Sequence, residues 1–248
     1  MPNVEDMSPM MQSYMKTKEQ YADCILFYRL GDFYEMFFDD AIIASRELEI
    51  TLTSKACGLE EKAPMCGVPH HAVDLYLSRL ISKGYKVAIC EQLEDPKQAK
   101  GLVKRDVIRV VTPGTVIESN MLDEKRTNYI MAIVKQGLYY GLAICDISTG
   151  DFYATQIRLD SNNFEKLLDE YARFMPAELV VNQAMSLSTK EIDILKDRNQ
   201  TFVTTRNDDL FKEDFSILKL YKIQDNLNRK KELTKDDSLI VASINGLL

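Results

Sequence analysis

Two apolar runs, CILFYRL (24–30) and FYEMFF (33–38), are separated only by Gly31-Asp32. β-prone runs joined by two turn-forming residues read as a short antiparallel hairpin. Side chains alternate across a strand, so Phe33 and Glu35 leave the turn on the same face. The flanking sequence must cover the other face. Ser8-Pro9 starts a helix, with serine as its N-cap and proline in its first turn, and Met11, Tyr14, Met15, Tyr21 and Ala22 follow at helical spacing. Asp39-Asp40 opens a second helix, to about Ile50, with acids where the helix dipole favours them. TLTSKACG (51–58) is expected as a short strand, and PMCGVPHH (64–71), with two prolines and a glycine, as a stiff irregular loop. Val73, Tyr76, Leu77, Leu80 and Ile81 mark a helix closed by Gly84; KVAICEQL (86–93) and VIRVV (107–111) are strands, and EDPKQAKG (94–101) is a turn or short helix. Strands alternating with helices make this half an α/β domain.

A polar, charged stretch follows. Beyond it three β runs are closely spaced, YIMAIV (129–134), YYGLAICDI (139–147) and DFYATQI (151–157), with turns at Gln136-Gly137 and Thr149-Gly150. That is an antiparallel meander. A helix stripe (Phe164, Leu167, Leu168, Tyr171) ends before Pro176, ELVVN (178–182) is a strand, and weaker elements lead to KDDSLIVASINGLL, read as an amphipathic helix. Because the chain stops inside that helix without a cap, a truncated piece of a longer protein is expected. The organisation is a domain at 1–113, a linker at 114–127 and a second α/β domain at 128–248.

Composition limits what these domains do. The net charge is −7, and residues 1–117 carry 14 basic against 17 acidic residues. Any nucleic-acid contact must therefore be local, since no broad basic face exists to hold phosphates. Five cysteines without a Cys-x-x-Cys pair suit a reducing cytoplasm, and the adjacent His70 and His71 are a poor zinc site. The start, MPNVEDMSPM, does not read as a secretory leader, and no apolar run reaches membrane-spanning length. No G-x-x-x-x-G-K-[ST] occurs, so these residues are not expected to hold a nucleotide.

The segment Gly31-Asp32-Phe33-Tyr34-Glu35-Met36-Phe37 decides the functional reading. On spacing alone, a strand phenylalanine is a core residue and its neighbouring glutamate a solvated rim residue. The stretch SPMMQSYMKTKEQYADCILFYRLGDFYEMFFDDA, however, resembles the opening of MutS-type DNA mismatch-repair proteins, whose hallmark is Phe-x-Glu within GDFYE. LEITLTSK, PMCGVPHHAVDLYLSRLISKGYKVAICEQLEDP and RVVTPGT fit in the same order, and LAICDISTGDF and MPAELVV resemble the family's connector domain. The resemblance implies a mixed-sheet mismatch-recognition domain followed by a ribonuclease H-like α/β connector. It gives Phe33 the role of stacking on a mispaired base from the minor groove, and Glu35 that of bonding the base. Glu35 either donates as a protonated acid or stays charged and penalises intact duplex. Leu30 and Asp32 flank the wedge, Lys55 takes a phosphate role, and Met65, Gly67, Pro69 and His70 abut the groove; at position 70 the family carries a different aromatic residue. Implied partners are mismatched double-stranded DNA and MutL. The full-length protein is expected to be a cytoplasmic bacterial homodimer, acting at the nucleoid, with an ATPase using ATP and magnesium; the fragment itself is expected to be a monomer with no catalytic residues, cofactor or metal.

A ribonuclease H-like outline also admits a nuclease reading, in which Asp146, Asp151, Asp169 and Glu170 would gather metal ions. Asp146 opens Asp-Ile-Ser-Thr-Gly, however, and so reads as a turn residue.

Overall fold

The hairpin forms as the two apolar runs require. In a computed structural model, described over residues 4–94, 101–116, 127–158, 163–199, 201–216 and 237–248, β1 (Ile25–Leu30) and β2 (Phe33–Phe37) pair antiparallel. Leu30 lies opposite Phe33, so the turn is Gly31-Asp32 alone, and Gly31 takes a left-handed φ of 60°. The chain divides into two compact units, Met1–Pro113 and Gly114–Leu248. Residues 117–126 of the expected linker and 95–100 of the expected 94–101 turn lie outside the described residues.

In the first unit the hairpin sits mid-sheet. With α1 (Pro9–Gln20), α2 (Phe38–Leu48), β3 (Thr53–Lys55), β4 (Ala63–Pro69), α3 (Val73–Ser82), β5 (Val87–Gln92) and β6 (Arg105–Val111), the strand order is β3-β4-β2-β1-β5-β6. Only β1 and β5 run parallel. Segment 64–71 is thus not the irregular loop its prolines implied. Ala63–Pro69 is a strand paired on both sides, and only His70–Ala72 leaves it as a short 3-10 turn. Pro64 and Pro69 occupy the strand's second and last positions, where a missing N–H disturbs the ladder least.

α1 packs Met11 and Tyr14 against Leu26, Tyr28, Phe37 and Cys90. The Tyr14 and Phe37 rings meet edge to face at 4.9 Å. Beneath them lies a buried ionic knot. Asp40 is 4% exposed; it accepts from the Leu26 N–H at 2.9 Å and the Tyr14 hydroxyl at 3.2 Å, and pairs with Lys18 at 2.9 Å. Burial, then the charge of Asp40, pushes the Tyr14 phenol well above its ordinary value.

The second unit is built on the expected meander, β7 (Tyr129–Gln136), β8 (Tyr139–Asp146) and β9 (Asp151–Arg158). α4 (Asn163–Phe174), β10 (Glu178–Val181), α5 (Gln183–Ser186), α6 (Thr189–Asn199), β11 (Phe202–Thr205) and α7 (Ser238–Leu247) follow. The order is β11-β10-β7-β8-β9, with β10 parallel to both its neighbours. A three-strand meander extended by parallel strands is the ribonuclease H-like outline expected. Leu167, Tyr171 and Leu195 pack against Met131, Ile133, Leu142 and Leu179 in one core, and α7 packs against Ile130, Ala132, Val134 and Ala143 in another.

α7 differs from the amphipathic reading. Leu239, Ile240, Val241, Ala242, Ser243, Ile244, Gly246 and Leu247 are all buried. A helix buried on nearly every side is a core element, and the hydrophobic run SLIVASINGL shows little polar face to set against it. Gly141 on β8 lets it approach closely, since a Cβ there would overlap the Leu239 carbonyl.

Candidate nucleic-acid interface

The register of four strands, β1 to β4, assembles one surface. In antiparallel pairs, directly opposed residues share a face. Phe33 opposes Leu30 and Pro69, Glu35 opposes Gly67, and Phe37 opposes Met65. Thr53 opposes Met65 and Lys55 opposes Ala63, so Lys55 is on that face too. Asp32 completes the turn, and the His70 backbone N–H donates to the Asp32 carbonyl at 2.9 Å, with the ring Nδ1 3.2 Å from the same oxygen. All nine residues singled out from the sequence therefore lie on or beside one face of the sheet, with Leu30, Asp32, Phe33, Pro69 and His70 nearest the turn.

Along β2, burial alternates: Phe33 is exposed, Tyr34 buried, Glu35 half-buried and Met36 buried. Phe33 is 46% exposed, so the core reading of this phenylalanine does not hold. On the same face the strand passes from exposed Phe33 through Glu35 to fully buried Phe37. Glu35 Oε2 accepts from Lys55 Nζ at 2.6 Å. Lys55 was expected at a phosphate; here its ammonium holds the carboxylate beside the aromatic tip.

Four residues that sequence reasoning passed over fix the turn. Arg29 Nε donates to the Gly31 carbonyl at 2.5 Å, and the Gly31 N–H donates to Gln92 Oε1 at 3.3 Å. Arg105 Nε donates to the Arg29 carbonyl at 2.7 Å, and its Nη2 to Gln92 Oε1 at 3.3 Å. The Tyr34 hydroxyl donates to Glu91, which also pairs with Arg29 at 3.4 Å. Burial, then this carboxylate, raises the Tyr34 phenol above its ordinary value. Arg29 lies on β1 beside the turn, but Glu91, Gln92 and Arg105 come from β5 and β6, more than 50 residues away, and no local spacing links those three to GDFYE. Their effect is to hold the turn from one side while His70 holds it from the other.

Other candidate chemistry resolves into structure. Cys24, Cys57, Cys66 and Cys90 are buried and free, and burial pushes the thiols of Cys24, Cys66 and Cys90 up to about 12, so they are inert core groups. Asp146 is 1% exposed and accepts from the Ser148 N–H and hydroxyl at 2.8 and 2.6 Å and from the Asn128 N–H at 3.2 Å. Those bonds close the turn into β9 and occupy both carboxylate oxygens. Among the described residues, no group of three or more His, Cys, Asp or Glu is placed to hold a metal ion. No described helix is long and apolar enough to cross a membrane.

Residues 8–120 match the family pattern of MutS domain I, and residues 128–248 that of MutS domain II. The DNA mismatch repair protein MutS of Acetivibrio thermocellus is 60% identical over 214 residues, 86% of this chain and 24% of the relative. That of Ruminiclostridium cellulolyticum is 62% identical over 198 residues, 80% of this chain and 23% of the relative. That of Clostridium novyi is 46% identical over 242 residues, 98% of this chain and 26% of the relative. The chain thus spans about a quarter of the length of these relatives.

Proposed function

The chain belongs to the MutS family of DNA mismatch-repair proteins, and from that premise we propose that its first unit detects mispaired or unpaired bases by inserting Phe33 into the duplex, with Glu35 bonding the displaced base. The observation that carries this reading is a large aromatic ring, 46% exposed, at the tip of a hairpin held on both flanks. An exposed phenylalanine gains little stability for its own fold. A ring held rigidly outward has already lost the freedom that insertion would otherwise cost.

The energetics favour a damaged step. Unstacking one base step costs a few kcal/mol, returned by contacts that the kinked duplex makes. A mismatch has lost part of its pairing and stacking, so the same wedge enters there at lower cost. Stacking on a ring is worth about 1–3 kcal/mol per base and accepts any base, which suits one reader of many mismatches. Glu35 supplies the polar complement. Its carboxylate accepts from Lys55 through Oε2, which supports a fixed orientation beside the wedge.

With a net charge of −7, these units hold little phosphate attraction of their own. The reading therefore includes a longer cytoplasmic protein that grips the duplex elsewhere, works as a homodimer and hydrolyses ATP with magnesium. The residues present do not fit that nucleotide, since the sequence has no glycine-rich phosphate loop. The second unit is assigned the relay to that ATPase and to MutL.

A 2-aminopurine placed beside a G·T mismatch tests the wedge, because its fluorescence rises on unstacking. Binding of the full-length protein is expected to raise the signal, and Phe33→Ala to remove that rise at saturating protein. A rise unchanged by Phe33→Ala would overturn the reading.

A further inference from the structure

The family resemblance gives Lys55 a phosphate to hold, but in the folded unit its ammonium is engaged elsewhere. Nζ donates to Glu35 Oε2 at 2.6 Å and lies 5.9 Å from the centroid of the Phe37 ring. Neither partner is a loose surface group: the Glu35 side chain is 14% exposed and that of Lys55 36%. Phe37 is buried and braced edge-on by Tyr14, so the ammonium rests against a fixed ring.

The pair reaches across β4. Lys55 stands opposite Ala63 on one side of that strand, and Glu35 opposite Gly67 on the other. Gly67 puts no side chain beside the carboxylate; a Cβ there would stand 3.6 Å from Glu35 Cγ. With Oε2 held by Lys55, Oε1 has no hydrogen-bond partner among the described residues.

A bare carboxylate beside the wedge would be repelled by the phosphates on either side of the groove. Coupled to an ammonium, it enters as a neutral pair. A carboxylate accepts hydrogen bonds only. With one oxygen tethered, the remaining acceptor has a fixed direction, and the base edge that satisfies it is an N–H, which both bases of a G·T pair carry. Resting on the wedge reading above, we propose that Lys55 is the specificity-determining counter-ion of Glu35, cancelling its charge at the groove and aiming Oε1 at an N–H of the mispaired base.

A phosphate ligand would act alone, whereas a counter-ion acts through Glu35. A double-mutant cycle in the full-length protein separates the two, using fluorescence anisotropy on G·T and matched duplexes at one salt concentration. Lys55→Met is expected to cut the G·T preference about tenfold in the wild-type background and less than about twofold when Glu35→Gln is already present. Lys55→Arg, which keeps the charge, should retain the preference. Equal losses in both backgrounds, with matched and mismatched binding weakened alike and the salt slope reduced by about one, would make Lys55 an independent phosphate ligand and overturn the proposal. An unchanged preference in Lys55→Met would overturn it too. The 2-aminopurine signal of Phe33→Ala, read alongside, keeps the two levels apart. A retained rise removes the wedge reading itself; a lost rise with an additive cycle removes only the role of Lys55.

Discussion

Two hairpins in this chain are built alike and end differently. β1–β2 turns through Gly31-Asp32 and β7–β8 through Gly137-Leu138, each a two-residue loop with its glycine in the left-handed region. Each ends in an exposed apolar side chain, Phe33 at 46% and Leu138 at 62%. Exposure alone would rank the second tip first. What separates them is anchoring. Arg29, Gln92 and His70 bond the backbone of the first turn, and Lys55 holds Glu35 beside it. Among the described residues, no side chain bonds the turn at Gly137-Leu138; the nearest tie is Asn182, bridging the Lys135 N–H and carbonyl lower on β7. An exposed ring becomes a tool when its direction is fixed, because a loose one spends binding energy on being ordered.

The comparison breaks most visibly at the hairpin roots. Asp40→Ala removes one partner of a buried ion pair beneath the first hairpin and is expected to cost about 3–5 kcal/mol. Asn182→Ala, leaving backbone groups of the second hairpin unpaired, should cost about 1–3 kcal/mol. Denaturant midpoints measure both, and equal losses would mean the first hairpin is no more strongly rooted than the second. Next in size is the clamp. Arg29→Ala is expected to lower the preference for mismatched over matched DNA about tenfold, or about 1.4 kcal/mol, with the fold retained. Leu138→Ala should leave the preference unchanged; if it does not, the second tip also reads DNA.

Smaller still are the turn glycines. Gly31→Ala and Gly137→Ala each place a Cβ in left-handed backbone with nothing within 4 Å, so strain alone should cost about 1–2 kcal/mol in either. Thermal midpoints should fall alike, while only Gly31→Ala should weaken mismatch binding. Over the usual pH range the least effect belongs to the thiols. Cys24, Cys66 and Cys90, all in the first unit, are pushed by burial up to about 12 from 9.0. A raised folded value means stability is full below the unfolded value and lost as pH climbs through the folded one. Stability should therefore decline as pH rises from about 9 towards 12, and Cys90→Ala should flatten that decline in denaturant titrations against pH.

Much of this was legible because it is local. The period of two in FYEMF places Phe33 and Glu35 together, and the acids at 39–40 do open α2. Proline misled at 64–71, because the strand that forms there tolerates its two prolines near its ends. The terminal helix misled in the other direction: its few polar residues suggested a wet face, yet Ser243 is fully buried, its hydroxyl donating to the Ile240 carbonyl at 2.7 Å. The clamp was illegible for a physical reason. Gln92 and Arg105 reach the turn only because β5 pairs parallel to β1 and β6 pairs with β5. The Glu35–Lys55 bond likewise depends on β3 joining the sheet through β4.

The central claim is that Phe33 reads the duplex, and fluorescence-anisotropy binding of a G·T duplex and its matched control tests it directly. The full-length protein, wild type and Phe33→Ala, would be titrated at one stated salt concentration. The substitution is expected to abolish the preference for G·T while the thermal midpoint stays within a few degrees of wild type. A preference that survives intact in Phe33→Ala would contradict it.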